Sequence, residues 1–173
     1  MSLSLYDVSV PIYIRMLGNL AHFLDKAEAH ANEAGVDLAT YLDASLGHGM
    51  FPLARQIQLA SDAAKGGAAR LAGVEAPAMP DTEASFPELV VRIQKTIAFL
   101  ESLKREQVEG QEDRQIVLTL PSRSLEFTGL TFLTTFSLPN FLFHVTTAYA
   151  ILRSLGVPLG KMDFLAGSAA PGA

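Results

Sequence analysis

The sequence predicts an all-α protein, a four-helix bundle carrying one short β-hairpin. Four long segments repeat apolar residues at spacings of three and four, which is one face of an α-helix. Glycine and proline punctuate the ends of those segments. One stretch breaks the pattern: Gln115 to Leu120 and Ser124 to Thr128 are rich in β-branched and aromatic types around Pro121-Ser122. A chain of 173 residues is about one domain. The expectation is a single domain over residues 1–166 and a flexible tail over 167–173, where the chain becomes small and polar.

The first helix is expected from about Leu5 to Glu33, with Val10, Ile14, Leu17, Ala21, Leu24, Ala27 and Ala31 on its core face. Pro11 falls in the first turns, where its missing N–H costs least, and Gly35 stands where a C-terminal cap belongs. A short turn of helix is expected after Asp37. The second runs from about Gly49 to Leu71 through Leu53, Ile57, Ala60 and Ala64, and Gly66-Gly67 should weaken or break it near its end. Gly73 to Thr82, with two prolines and little periodicity, reads as a loop. The third opens on a capping box, Ser85 with Glu88, and carries Phe86, Val90, Ile93, Ile97 and Leu100 to Gly110. The hairpin must pack on the bundle, because a lone hairpin is marginal in water. The fourth runs from about Leu138 to Leu155, with Ser137 as N-cap and Gly156 as its end. It is apolar nearly all round, so it is expected to be central or to meet a partner subunit as well.

Composition narrows the function classes. Charged residues are only 18% of the chain, below the usual quarter, which points to extra buried surface such as a subunit interface. The net charge of −5 has no basic footprint, so no nucleic-acid partner is expected. The absence of cysteine excludes a disulfide framework, a thiolate zinc site and a cysteine nucleophile. Met1 to Asp7 does not read as a signal peptide. The longest apolar runs fall far short of the roughly 20 residues that cross a bilayer. A soluble cytoplasmic protein with no membrane partner is expected.

The strongest candidate for chemistry is Asn140-Phe-Leu-Phe-His144. Residues four apart share a helix face, so both side chains can approach one point. A histidine pair at that spacing binds metal; here one partner is asparagine, a weak neutral oxygen ligand. A lone histidine on an apolar helix is more often a core residue with one hydrogen bond than a ligand, and His144 fits that reading too. Gln56, one residue from core Ile57 and three from Leu53, either hydrogen-bonds His144 across the bundle and fixes its tautomer or faces solvent from the helix edge. Arg55 and Asp62 are further polar positions beside that stripe. His48, between two glycines, either reaches the bundle mouth or is an exposed loop residue. His22 and His30 lie off the core stripe and read as surface or interface residues. Glu112-Asp113-Arg114 reads as a solvated turn in which Arg114 can pair with a carboxylate or bind an anionic ligand. The candidate ligand-binding set is His144, Asn140, Gln56, Arg114 and Tyr149. There is no phosphate loop, no Gly-x-Ser-x-Gly elbow and no carboxylate in an apolar setting that would raise its pKa.

The stretch Asn140-Phe-Leu-Phe-His144-Val-Thr-Thr, then Ala148-Tyr-Ala-Ile-Leu-Arg153-Ser-Leu-Gly156, resembles the last helix of the DinB and YfiT-like superfamily. Its members there carry His-x-x-x-His-Arg-Gly-Gln and then Leu-Arg-x-x-Gly. More closely, the chain resembles a bacterial DinB-like family known as a domain of unknown function, number nineteen ninety-three. The resembling stretches are Met50-Phe-Pro-Leu-Ala-Arg-Gln56, Arg70-Leu-Ala-Gly73, Phe99-Leu100, Glu112-Asp-Arg114, Leu138-Pro-Asn-Phe141 with His144, and Gly160-Lys-Met-Asp-Phe164. The resemblance implies an up-down-down-up bundle, frequent homodimers and, in many members, a nickel or zinc ion on three histidines. Some members are thought to transfer low-molecular-weight thiols. Carried onto this chain, His48 and His144 are the candidate metal ligands, Asn140 replaces a histidine, and Thr146-Thr147 replace Gly-Gln.

Three readings follow. In the first, no cofactor is bound, and a polar pocket around His144, Asn140 and Gln56 takes a small ligand or stabilises a homodimer. In the second, a nickel- or zinc-dependent thiol transferase-like enzyme holds its ion on His48, Asn140 and His144. In the third, the apolar fourth helix is a purely structural contact with a partner.

Overall fold

The computed structural model describes residues 3–120 and 122–169. Four long helices pack around one apolar core: α1 (Val10–Ala34), α3 (Leu53–Ala72), α4 (Phe86–Ser102) and α7 (Leu138–Ser154). Short helices join them: α2 (Leu38–Leu42), α5 (Arg105–Val108), α6 (Gly129–Phe132) and α8 (Lys161–Ala166). Strands β1 (Ile116–Thr119) and β2 (Ser124–Phe127) form an antiparallel hairpin between α5 and α6, with Ile116 opposite Phe127. No described helix is long and apolar enough to cross a membrane.

Local chemistry sets the helix ends. Gly35 and Gly73 take left-handed backbone at φ 64° and 68°, where a side chain would be strained, and close α1 and α3. Asp37 caps α2 through the Ala39 N–H, 2.9 Å away. At the start of α4 the Ser85 hydroxyl accepts from the Glu88 N–H, and the Glu88 carboxylate accepts from the Ala84 N–H at 2.7 Å. The core faces follow the helical period: Tyr13, Leu17, Leu20 and Leu24 on α1, Leu53, Ile57, Ala60 and Ala64 on α3, and Phe141, Val145, Ala148 and Leu152 on α7 are fully or almost fully buried. Burying each leucine contributes about 1.5–3 kcal/mol.

Several expectations are corrected. Helix α3 runs unbroken through Gly66-Gly67, because a side chain at 67 would collide with the Ser137 hydroxyl and come 3.0 Å from the Tyr13 hydroxyl. Packing there offsets the propensity cost of glycine. The α4 stripe is Phe86, Leu89, Ile93, Thr96 and Leu100, while Val90 and Ile97 are only half-buried. Helix α4 stops at Ser102; Gly110, at φ 76°, ends the separate turn α5 instead. Ser137 does not cap α7. It closes a π-helical turn, Leu133–Ser137, that continues α6 straight into α7. Its hydroxyl lies 2.8 Å from Tyr13 Oη inside the core. Of the expected tail, residues Gly167–Ala169 form a 3₁₀ turn packed on Asn19, and 170–173 lie outside the described residues.

The hairpin packs as anticipated. Ile116 and Leu118 are buried, Val117 between them is exposed, and Phe127 joins an aromatic cluster with Phe132 and Phe136 at centroid distances of 5.8 to 6.0 Å. Helix α8 docks on α1 through Asn19, whose amide donates to the Phe164 carbonyl at 2.8 Å. Asp163 accepts from His22 at 2.9 Å, Lys26 at 3.0 Å and its own Gly160 N–H at 2.6 Å. Burial pushes the Asp163 carboxyl up, but these donors outweigh it and hold it at about 2. His22 is thus a structural ligand of Asp163, and His30 bonds the Tyr41 hydroxyl at 2.9 Å; neither is a plain surface residue.

A candidate ligand site between α3 and α7

Helices α3 and α7 run side by side in opposite senses: Ser137 meets Gly67 at one end and His144 meets Gln56 at the other. Gln56 is 2% exposed. Its Nε2 donates to the Phe51 carbonyl at 3.1 Å, so the remaining atom, Oε1, is an acceptor. His144 Nδ1 lies 2.8 Å from that oxygen. Nδ1 must therefore carry the proton, and in the neutral ring Nε2 keeps its lone pair. Burial pulls the His144 pKa below its ordinary 6.5, and the nearby Arg55 guanidinium pulls it further down. The ring is neutral at pH 7, with one nitrogen set as an acceptor or base.

Apolar surface flanks this ring. Phe143 contacts it edge-on at 5.3 Å between centroids, and Phe143 and Phe51 are each 55% exposed. Arg55 lies over the Phe51 ring at 5.9 Å. One turn back along α7, half-buried Asn140 lines a groove of about 280 Å³ between α3, the hairpin and the π-helical turn. Asp62, Arg70, Ser137 and Thr119 line it too, and the Asn140 amide has no hydrogen-bond partner among the described residues.

Of the candidates, the structure joins His144 to Gln56, while Asn140 lines the neighbouring groove with Asp62, Arg70 and Ser137, and the others lie elsewhere. Arg114 packs its guanidinium over Gly73, at the far end of α3 and about 25 Å along the helix from Gln56. It is half-buried rather than fully solvated, and its buried Nε has no acceptor among the described residues. Tyr149 is five residues past His144, on another face of α7, and packs against Phe23 and Phe164 at 5.6 and 5.9 Å. His48 is exposed on left-handed backbone at φ 51°. Among the described residues no three His, Cys, Asp or Glu side chains converge as a metal-holding group. The donors shown beside His144 are one imidazole nitrogen and the neutral Gln56 amide, a set that does not fit a divalent transition metal. Phe51, Phe143 and Arg70 are not singled out as site residues in the sequence, where Asp62 stands out only as a polar position beside the stripe. The single apolar stripe used to read each helix hides residues that sit at its edges.

A helical protein with a preset neutral histidine at a helix–helix face is the class that fold and site define. A family model described as domain of unknown function, DUF1993, matches residues 5–165, and the chain belongs to that family. The chain is also similar to a DinB family member protein from Shewanella denitrificans known from its crystal structure. That protein is 39% identical, the match covers 93% of this chain and 91% of that one, and the TM-score is 0.85. No curated protein matches.

Proposed function

We propose that the protein is a small-molecule-binding bundle whose ligand donates a hydrogen bond to His144 Nε2 and rests an apolar ring or chain on Phe51 and Phe143. The observation that carries this reading is the relay from His144 Nδ1–H to Gln56 to the Phe51 carbonyl. A buried glutamine fixed at both ends of its amide holds one tautomer and one ring orientation, which a merely packed histidine does not need. Asn140 extends the site one turn along α7 as a second, neutral hydrogen-bonding group. Titration with p-cresol, whose hydroxyl donates and whose ring is flat, tests it by NMR. Shifts are expected at His144 and Phe143 and should vanish in His144→Ala. Equal binding of the methyl ether, which lacks the donor, would contradict it.

The reading includes the up-down-down-up order of α1, α3, α4 and α7, supported by the opposed course of α3 and α7, and a cytoplasmic setting, in keeping with the lack of cysteine. A second reading, a homodimer joined over the same surface, is favoured by the exposure of Met50, Phe51 and Phe143. Sedimentation velocity at several concentrations, with Phe143→Glu as control, separates the two.

A further inference from the structure

A larger cavity, of about 720 Å³, lies between α4 and the loop that follows α3. It falls within the size range of ligand sites. Its walls are mostly apolar: Pro77, Met79 and Pro80 on the loop, Val91, Ala98 and Phe99 on the helix. Val91 is 45% exposed.

The loop wall is built rather than draped. Arg92, whose side chain is 1% exposed, also lines the cavity and pins the loop from below. Its Nη1 donates to the Pro80 carbonyl at 3.2 Å and to Glu83 at 3.0 Å. Its Nη2 pairs with Asp81 at 3.0 Å and reaches back to Asp62 on α3 at 2.9 Å. Met79 places its sulfur 3.6 Å from the Thr96 hydroxyl. Two prolines remove further backbone freedom. A cavity held this way requires little ordering when something binds.

The charges lining it are not all committed. Glu83 is tied to Arg92 and to the Gln58 amide. Glu88 accepts the Ala84 N–H that caps α4, which helps to keep it ionised. Lys95 has no acceptor and no ion pair among the described residues. Seven residues separate Glu88 from Lys95, about 10 Å along the helix, so a capped anionic group and a free cationic group lie two turns apart on the cavity wall, with Ala98 and Phe99 beyond Lys95. We infer that this cavity binds an amphipathic carboxylate, its acid group at Lys95 and its hydrocarbon body between the Pro77–Pro80 wall and Val91. This site is independent of His144.

The test uses three eight-carbon probes, octanoate, 1-octanol and octylammonium, by calorimetry and by NMR of the Met79 and Val91 methyl groups at low salt. Octanoate should shift both methyl groups and bind about fivefold more tightly than octanol, and octylammonium should bind most weakly. The octanoate advantage should disappear in Lys95→Ala and shrink at high salt, while octanol binding stays unchanged. Ala98→Trp, on the exposed face, should block all three. Octanoate binding that leaves Met79 and Val91 unshifted, or that is equal in Lys95→Ala, would overturn the inference, as would no binding at all.

Discussion

Replacing Gln56 by Glu would put a carboxylate oxygen where Oε1 now accepts the Nδ1 proton. In the native chain the imidazole is held below 6.5 by burial and Arg55. Its contribution to stability is complete above 6.5 and is lost as pH falls through the folded value. A carboxylate in contact should reverse this, raising the midpoint by roughly 1–3 pH units, so that the pair stabilises below 6.5 and weakens as pH rises through the new value. An NMR titration of the His144 ring in Gln56→Glu reads the direction. Gln56→Ala removes the acceptor of a half-buried N–H and the donor to the Phe51 carbonyl, and should cost about 1–3 kcal/mol in denaturant melts. Asp163 shows the ordinary carboxylate case. Its share of stability is present above about pH 4 and is lost as pH falls toward its folded value of about 2. Asp163→Asn should flatten acid unfolding in that window and free α8 from α1, seen as loss of amide protection at Phe164. At this scale the sequence was half legible. The four-residue step from Asn140 to His144 was plain, and so was the position of Gln56 beside core residues. That Gln56 is buried and bonded at both ends depends on the Phe51 carbonyl, and no side-chain pattern encodes a backbone acceptor.

Gly66 and Gly67 look alike in the sequence and behave differently in α3. A side chain at 66 meets only the flexible Arg70 guanidinium, at 2.7 Å, whereas one at 67 meets the Ser137 and Tyr13 hydroxyls of two other elements. Gly66→Ala should be neutral or stabilise by up to about 1 kcal/mol through helix propensity. Gly67→Ala should destabilise by about 1–3 kcal/mol, since the π-helical turn must move to admit it. Thermal melts of the two variants distinguish these outcomes. The π-helical turn is what makes α6 and α7 continuous, and it explains why Ser137 misled as a cap: a serine before a proline-bearing helix start has the right local chemistry, but here it faces Tyr13 in the core. The third helix taught a related lesson. Leu89, Arg92, Ile93 and Thr96 share the buried face. A charged residue in phase with a core stripe marks an ion network. Phe86, Ile93 and Leu100 are in phase with the sequence reading, while the buried Leu89 and Thr96 lie one position before the expected Val90 and Ile97.

Across the whole molecule, α1, α3, α4 and α7 were legible because each carries a face of at least four apolar residues, and the hairpin because β-branched and aromatic types flank Pro121-Ser122. The short α5 and α6, the 3₁₀ turn and the docking of the 74–84 loop were not, because local caps and contacts with distant segments rather than periodicity hold them. Arg92 is the main tie for that loop, and Arg92→Ala would leave Asp62, Asp81 and Glu83 crowded without their shared cation. It should cost about 3–5 kcal/mol and speed amide exchange from Val74 to Ala84. Membership of the DUF1993 family and likeness to a DinB family structure support the helical architecture, while the proposed ligand site turns on the chemistry of a single imidazole. Nitrogen-15 NMR of His144 at pH 7, with a pH titration, reads that chemistry most directly. A neutral ring protonated on Nδ1, with bare Nε2 and a midpoint below 6.5, is the expected result. A ring protonated on Nε2, or one still charged at pH 7, would contradict it.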